Sequence, residues 1–95
     1  MSALFIAISK ITDRAKLDEY LAGAPASMAG RTIDVLAFTE GGENVEGEAP
    51  GGRVVVLKFP DKEAAMDWYN SPEYQAVVQL RLDGTEGFAI VCDAF

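Results

Sequence analysis

Residues 53–59 read Arg-Val-Val-Val-Leu-Lys-Phe, and Pro60-Asp61 follow them directly. The run is short and rich in β-branched and apolar residues, which is typical of a β-strand covered on both faces. Asp61 is a preferred helix N-cap, and Glu63 in the next turn complements the helix dipole. This stretch therefore predicts a strand that passes at once into a helix.

The helix that begins at Asp61 is predicted to break near Ser71. Ser71-Pro72-Glu73 is a second helix start, because Ser caps, Pro suits the first helical position and an acid follows. We expect a short third helix after the break, then a last strand over residues 88–92. Residues 53–95 thus form a β-α-β unit with an interrupted helix.

The first half of the chain predicts a second unit of the same order. Residues 3–9 are continuously apolar up to Ser9 and indicate a strand. Thr12 is the expected N-cap of the following helix, with Asp13 in its first turn, and Pro25 should kink or restart that helix. The helix carries an apolar stripe at helical spacing, made of Leu17, Tyr20, Leu21, Ala24 and Met28.

A second strand is expected from Arg31 to Thr39, with Asp34, Leu36 and Phe38 on one face by simple alternation. Residues 40–52 hold four glutamates, five glycines and a proline, and predict a solvated acidic loop. Its glutamates lack the spacing of a calcium-binding loop.

The element order β-α-β-β-α-β predicts an α+β fold of the ferredoxin-like, split βαβ type in one domain over residues 1–95. Right-handed crossovers place the helices on one face of a four-stranded antiparallel sheet. The other face would remain apolar and uncovered, since three strands are apolar at nearly every position. We therefore expect a homodimer through the apolar sheet face, with about 800 Å² buried per partner.

Composition excludes several classes of function. The 95 residues carry a formal charge of −7, which argues against nucleic acid and anionic membranes as partners. The chain has no His and one Cys, Cys92, so no metal site and no cofactor is expected. Its apolar N-terminal run is short and lacks a basic region, and no run is long enough to span a bilayer, so a cytoplasmic protein is expected.

The segment from Phe59 to Arg81 resembles a known bacterial family. Phe59-Pro60, Glu63-x-Ala65, Trp68-Tyr69, Ser71-Pro-Glu-Tyr-Gln75 and Leu80-Arg81 match the signature of the family catalogued as domain of unknown function 1330 (DUF1330). That family belongs to the dimeric α/β-barrel superfamily. The resemblance implies the ferredoxin-like fold and the face-to-face dimer, and it implies no defined reaction.

Five residues are candidates for a ligand site. Trp68, Tyr69 and Tyr74 either wall a pocket between helix and sheet or anchor the helices to the sheet. Arg81 continues the apolar stripe of the third helix, so it either grips an acidic ligand or pairs with a protein carboxylate such as Asp34 or Asp83. Asp34 is a general-base candidate if covered, and discourages edge pairing if its strand lies at the sheet edge.

These features support a homodimer that binds a small organic or acidic ligand in a pocket between helices and sheet. One alternative is a non-catalytic dimerisation or structural module, with the pocket filled and Arg81 paired to a carboxylate. A second alternative is an enzyme resembling cofactor-independent oxygenases or isomerases, an analogy that stands at the level of the fold.

Overall fold

The computed structural model describes residues 1–95 and contains four strands and three helices. In chain order the elements are β1 (Ala3–Ile11), α1 (Arg14–Met28), β2 (Asp34–Thr39), β3 (Arg53–Phe59), α2 (Lys62–Tyr69), α3 (Pro72–Gly84) and β4 (Thr85–Asp93). None of these helices combines the length and the apolar character that crossing a membrane would require.

The strands form one antiparallel sheet in the order β2-β3-β1-β4. This order confirms the predicted ferredoxin-like α+β fold. Alternate residues of the two central strands are buried under the helices: Ala3, Phe5, Ala7 and Ser9 from β1, and Arg53, Val55, Leu57 and Phe59 from β3. Period-two side-chain alternation thus gives the sheet a helix face and an opposite face.

The core lies between the helix face and the three helices. Trp68 of α2 is 2% exposed and packs against Phe5, Phe59 and Tyr74, with ring centroids 5.3, 5.5 and 4.2 Å away. Leu17 of α1 is fully buried in the same cluster. The aromatic rings therefore tie α2 and α3 to the two central strands.

The break between α2 and α3 falls where the sequence predicts it. The Asp61 carboxylate accepts a hydrogen bond from Ala64 N (2.8 Å) and caps α2. Ser71 Oγ accepts from Tyr74 N (3.2 Å) and donates to Trp68 O (2.7 Å), so one hydroxyl ends one helix and begins the next.

The start and the interior of α1 differ from the prediction. Asp13, rather than Thr12, is the N-cap, because its carboxylate accepts from Lys16 N (3.2 Å). Pro25 lies inside a helix that continues to Met28. The chain leaves α1 at Gly30, whose φ of 76° is a conformation that glycine adopts without steric cost.

Strand β2 is shorter than predicted and does not alternate simply. It begins at Asp34 instead of Arg31, and its register against β3 shifts between Val35 and Ala37. Val35 pairs with Leu57 and Phe38 with Val55, which places both on the helix face. The prediction that Phe38 shares a face with Asp34 was wrong, because a β-bulge reverses the alternation between them.

The opposite face of the sheet, which we call the open face, carries no helix. By register its side chains are mostly apolar, and they are partly exposed: Leu4, Ile6, Ile8, Val54, Val56, Phe88 and Ile90. Phe88 and Ile90 are each 51% exposed. The single chain therefore presents a flat apolar surface to its surroundings.

Candidate ligand site

Two polar residues lie on the helix face at one end of the sheet. Ser9 and Arg53 occupy positions in phase with the buried apolar residues of their strands, and the register pairs them directly across β1 and β3. Ser9 is 2% exposed and Arg53 is 5% exposed. Ser9 Oγ and Arg53 Nη1 are buried and have no hydrogen-bond partner in the protein.

The Arg53 guanidinium forms no ion pair with a protein carboxylate. The three ion pairs of the chain involve Arg14 and Lys62, and none involves Arg53 or Arg81. Burial lowers the pKa of Arg53, because removal from water disfavours the charged form. An unpaired buried guanidinium is unfavourable, so an incoming anion would gain a strong hydrogen-bonding partner here.

Two tyrosines and Arg81 form a hydrogen-bonded chain beside this end of the sheet. Arg81 Nε donates to Tyr74 Oη (3.2 Å), and the hydroxyls of Tyr74 and Tyr20 lie 2.9 Å apart. Burial raises the pKa of Tyr20 far above its ordinary value, so its phenol remains neutral. The Tyr20 hydroxyl is thus a neutral group paired with Tyr74.

A cleft of about 650 Å³ opens between α1 and the β2–β3 half of the sheet, and Arg53 and Tyr20 contribute to its wall. The rest of its lining is apolar: Leu21, Ala24, Pro25, Met28, Val35, Phe38, Val55, Leu57 and Trp68. Val35 and Phe38 are 55% and 62% exposed. The cleft thus combines an unfilled apolar surface with one cationic group.

An exposed ion pair lies near the charged end of the cleft. Arg14, in the first turn of α1, donates two hydrogen bonds from Nη1 and Nη2 to the Glu40 carboxylate, at 2.9 and 2.5 Å. Glu40 also lines a smaller cavity of about 290 Å³ together with Arg53. The hydrogen bond from Arg14 lowers the pKa of Glu40 below its ordinary value.

The structure brings four of the five residues that the sequence singled out into contact, although they do not share one cavity. The Trp68 and Tyr69 ring centroids lie 4.2 and 5.4 Å from that of Tyr74, and Arg81 bonds to the Tyr74 hydroxyl. Trp68 lines the cleft, and its Nε1 donates to Ser27 Oγ (3.1 Å). Tyr74 is fully buried in the hydrogen-bonded chain, while Arg81 and Tyr69 line a separate cavity of about 330 Å³ near β4. Trp68 therefore both anchors its helix and forms part of the cleft wall.

Asp34 lies away from the cleft. It is exposed on the edge strand β2, and the register places it opposite Lys58, which is also exposed. The alternative that the sequence offered, a charge on an edge strand, fits this position.

Ser9, Tyr20 and Arg53 were not singled out from the sequence. Tyr20 and Arg53 line the cleft, whereas Ser9 is the cross-strand neighbour of Arg53 and lines the cavity that holds Arg81. The signal that the sequence offered was the two-residue spacing of each strand's buried row. Ser9 follows Ala3, Phe5 and Ala7 at this spacing, and Arg53 precedes Val55 and Leu57 in the same way. A polar residue in phase with a buried row marks a buried polar position.

No group of three or more potential metal-ligating side chains is clustered anywhere in the fold. The site chemistry is therefore that of guanidinium, phenol and hydroxyl donors around an apolar cleft.

Comparison with known proteins identifies the family and the fold. The family model for DUF1330, described as a domain of unknown function, matches residues 2–95. No curated protein matches the sequence.

Solved structures with the same fold span nearly the whole chain. A protein of unknown function from Rhodopseudomonas palustris has a TM-score of 0.79 at 12% identity, over 99% of this chain and 82% of that one. SnoaB, a cofactor-independent oxygenase from Streptomyces nogalater, has a TM-score of 0.65 at 12% identity, over 99% and 93%. A dimeric protein of unknown function with a ferredoxin-like fold from Bacteroides fragilis has a TM-score of 0.54 at 16% identity, over 98% and 96%. At these identities the similarity shows the fold alone.

Proposed function

Because this chain belongs to the DUF1330 family, whose description defines no reaction, we propose its function from its own geometry. The protein is a homodimer that binds a small, largely apolar organic acid in the cleft between α1 and the β2–β3 half of the sheet. The acid group lies at Arg53, and the apolar body of the ligand lies against the cleft wall.

The observation that carries this proposal is the Arg53 guanidinium, which is buried, has no carboxylate partner and lines the cleft. Its planar fork of donors matches the two oxygens of a carboxylate. Tyr20, which is neutral, lines the same cleft, and its hydroxyl is hydrogen-bonded with that of Tyr74. A ligand anion would thus supply the ion-pair partner that Arg53 does not have within the protein.

The apolar wall argues for an organic acid over a small inorganic anion. Val35 and Phe38 are more than half exposed, although they sit on the helix face of the sheet. Complete burial of an exposed side chain of this kind is worth about 1.5–3 kcal/mol, and roughly half of that is still to be gained at each of these two positions. A ligand body that fills the cleft would gain that free energy as well as the contact with Arg53.

The alternative of a purely structural module requires a filled pocket and an Arg81 that pairs with a protein carboxylate. The cleft beside Trp68 is open, and Arg81 bonds to the Tyr74 hydroxyl instead of to an acid. The open cleft and the Arg81–Tyr74 hydrogen bond both favour the ligand-binding function over the structural module.

The open face is the contact surface of the proposed homodimer. A second copy packed face to face would cover the half-exposed Phe88 and Ile90 together with the apolar centre of the sheet. The open face is remote from the helix side, so dimerisation leaves the cleft accessible.

The test compares an acid with its neutral analogue. Naphthoate and naphthamide have the same flat apolar body, and only the first carries a charge. We expect the wild-type protein to bind naphthoate more tightly, with a shift of the indole N–H signal of Trp68, the single tryptophan, in heteronuclear NMR titrations. Arg53→Met should remove the preference for the acid.

Lys16→Met is the matched control, because it removes the charge of an exposed lysine that forms no ion pair and does not line the cleft. It should leave both affinities unchanged. Equal affinity of the wild type for naphthoate and naphthamide, or an unchanged preference in Arg53→Met, would refute the assignment.

A further inference from the structure

We infer that Arg14 sets the affinity of the Arg53 site by holding the Glu40 carboxylate away from Arg53. The inference rests on the proposed anion site and assigns its regulation to an exposed ion pair. Arg14 is a positioning residue in this scheme, since it acts through Glu40 and does not touch the ligand.

The sheet register makes Glu40 the natural partner of Arg53. β2 and β3 pair Phe38 with Val55 and Thr39 with Val54, so Glu40 and Arg53 are the next residues in the antiparallel register. Because Phe38 and Val55 lie on the helix face, alternation returns Glu40 and Arg53 to that face. Directly opposed Cβ atoms are about 4.5–5.5 Å apart, and opposite charges attract there.

The backbone remains close at this point. Gly42 N donates to Gly52 O (2.8 Å), which keeps the two chains adjacent just beyond the last strand pair. Glu40 and Arg53 accordingly line the same small cavity.

Even so, the Glu40 carboxylate bonds to Arg14 and not to Arg53. Both of its oxygens accept from the Arg14 guanidinium, and no ion pair joins it to Arg53. Two guanidinium groups therefore compete for one carboxylate. While Arg14 holds the carboxylate, Arg53 remains free for a ligand.

Loss of Arg14 should convert Glu40 into an internal competitor. If Glu40 occupies Arg53 in nine molecules of ten, the apparent affinity for an external carboxylate falls roughly tenfold, because one molecule in ten remains competent. We therefore expect Arg14→Gln to bind naphthoate roughly tenfold more weakly than the wild type.

The double variant Arg14→Gln/Glu40→Gln distinguishes competition by the Glu40 carboxylate from structural damage caused by the loss of Arg14. Without its carboxylate, residue 40 cannot occupy Arg53, so naphthoate affinity should return to the wild-type value or above. Lys16→Gln is the matched control, because it removes the charge of an exposed α1 lysine that forms no ion pair. An unchanged affinity in Arg14→Gln, or a loss that Glu40→Gln does not rescue, would overturn the inference.

A measurement without ligand keeps the inference testable if naphthoate proves a poor probe. In Arg14→Gln, carbon-detected NMR should show that the Glu40 pKa stays below its ordinary value of 4.5, since Arg53 replaces Arg14 as its partner. In Arg14→Gln/Arg53→Met the pKa should return to that value. An ordinary Glu40 pKa already in Arg14→Gln would refute the exchange of partners, whereas failure of naphthoate to bind the wild type counts against the proposed function alone.

Discussion

Arg53 places a cationic group inside the fold without an ion-pair partner. Its guanidinium is 5% exposed, and Nη1 has no partner. Replacing buried charge with an apolar side chain of similar volume is often stabilising. We expect Arg53→Met to stabilise the protein by about 1 kcal/mol, which corresponds to a rise in melting temperature of about 4–8 °C for a domain of this size.

Thermal unfolding followed by circular dichroism checks this expectation, with Lys16→Met as the exposed control that should change stability by less than about 0.5 kcal/mol. A lower melting temperature for Arg53→Met would mean that the arginine supports the fold. If Arg53→Met is more stable than the wild type and no longer prefers the acid, Arg53 serves the ligand site and does not stabilise the fold.

The sequence shows that Ser9 and Arg53 each fall in the buried row of their strand, but it does not show that they are neighbours. They are 44 positions apart in the sequence, and only the pairing of β1 with β3 makes them neighbours. Arg81 was recognised because it continues the stripe of its own helix, which is a local pattern. A site assembled by strand pairing has no such local signal.

The short joint between α2 and α3 depends on one hydroxyl. Ser71 Oγ satisfies both Tyr74 N and Trp68 O, and Ser71 is 5% exposed. Ser71→Ala leaves the buried Tyr74 N without its acceptor and removes one donor from Trp68 O, which keeps the backbone bond from Ser71 N (3.1 Å). We therefore expect a loss of about 2 kcal/mol of unfolding free energy. Urea denaturation measures this loss of unfolding free energy.

Asp61→Ala provides the comparison at an exposed cap, where one acceptor is lost and water can replace it. Its loss should be about 1 kcal/mol or less. If the two variants lose equal stability, the second hydrogen bond of Ser71 contributes nothing measurable.

At the scale of elements, strong local chemistry made some features predictable. The cap residues Asp61 and Ser71 and the apolar run of β3 each specify their element within a few residues. The bulge in β2 was missed because neither glycine nor a polar break marks it between Val35 and Ala37. The cleft depends on that bulge, since the shift brings Phe38 to the helix face.

The two faces of the sheet have separate roles in the proposed molecule. The helix face carries the cleft, and the open face carries the surface for a second copy. Since alternate residues of each strand supply the two faces, a substitution on one face need not disturb the other. Assembly and ligand binding can therefore be tested independently.

We expect the wild-type protein to have twice the 10.2 kDa mass of one chain in light scattering at micromolar concentration. Ile6 lies at the centre of the open face, opposite Val56 and Ile90. A charge there would be desolvated in the dimer without a partner, so Ile6→Lys and Ile90→Lys should each yield a folded monomer. Both monomers should still bind naphthoate, because the cleft is on the other face.

Leu82→Lys is the control for this assembly prediction, because Leu82 is 50% exposed on α3 and lies outside the open face. It introduces the same charge and should remain dimeric. A wild-type monomer, or a dimer that persists in both Ile6→Lys and Ile90→Lys with native circular dichroism, would show that the open face is not the contact. The apolar side chains of that face would then need another partner, since each partly exposed side chain forgoes a fraction of the roughly 1.5–3 kcal/mol that full burial is worth.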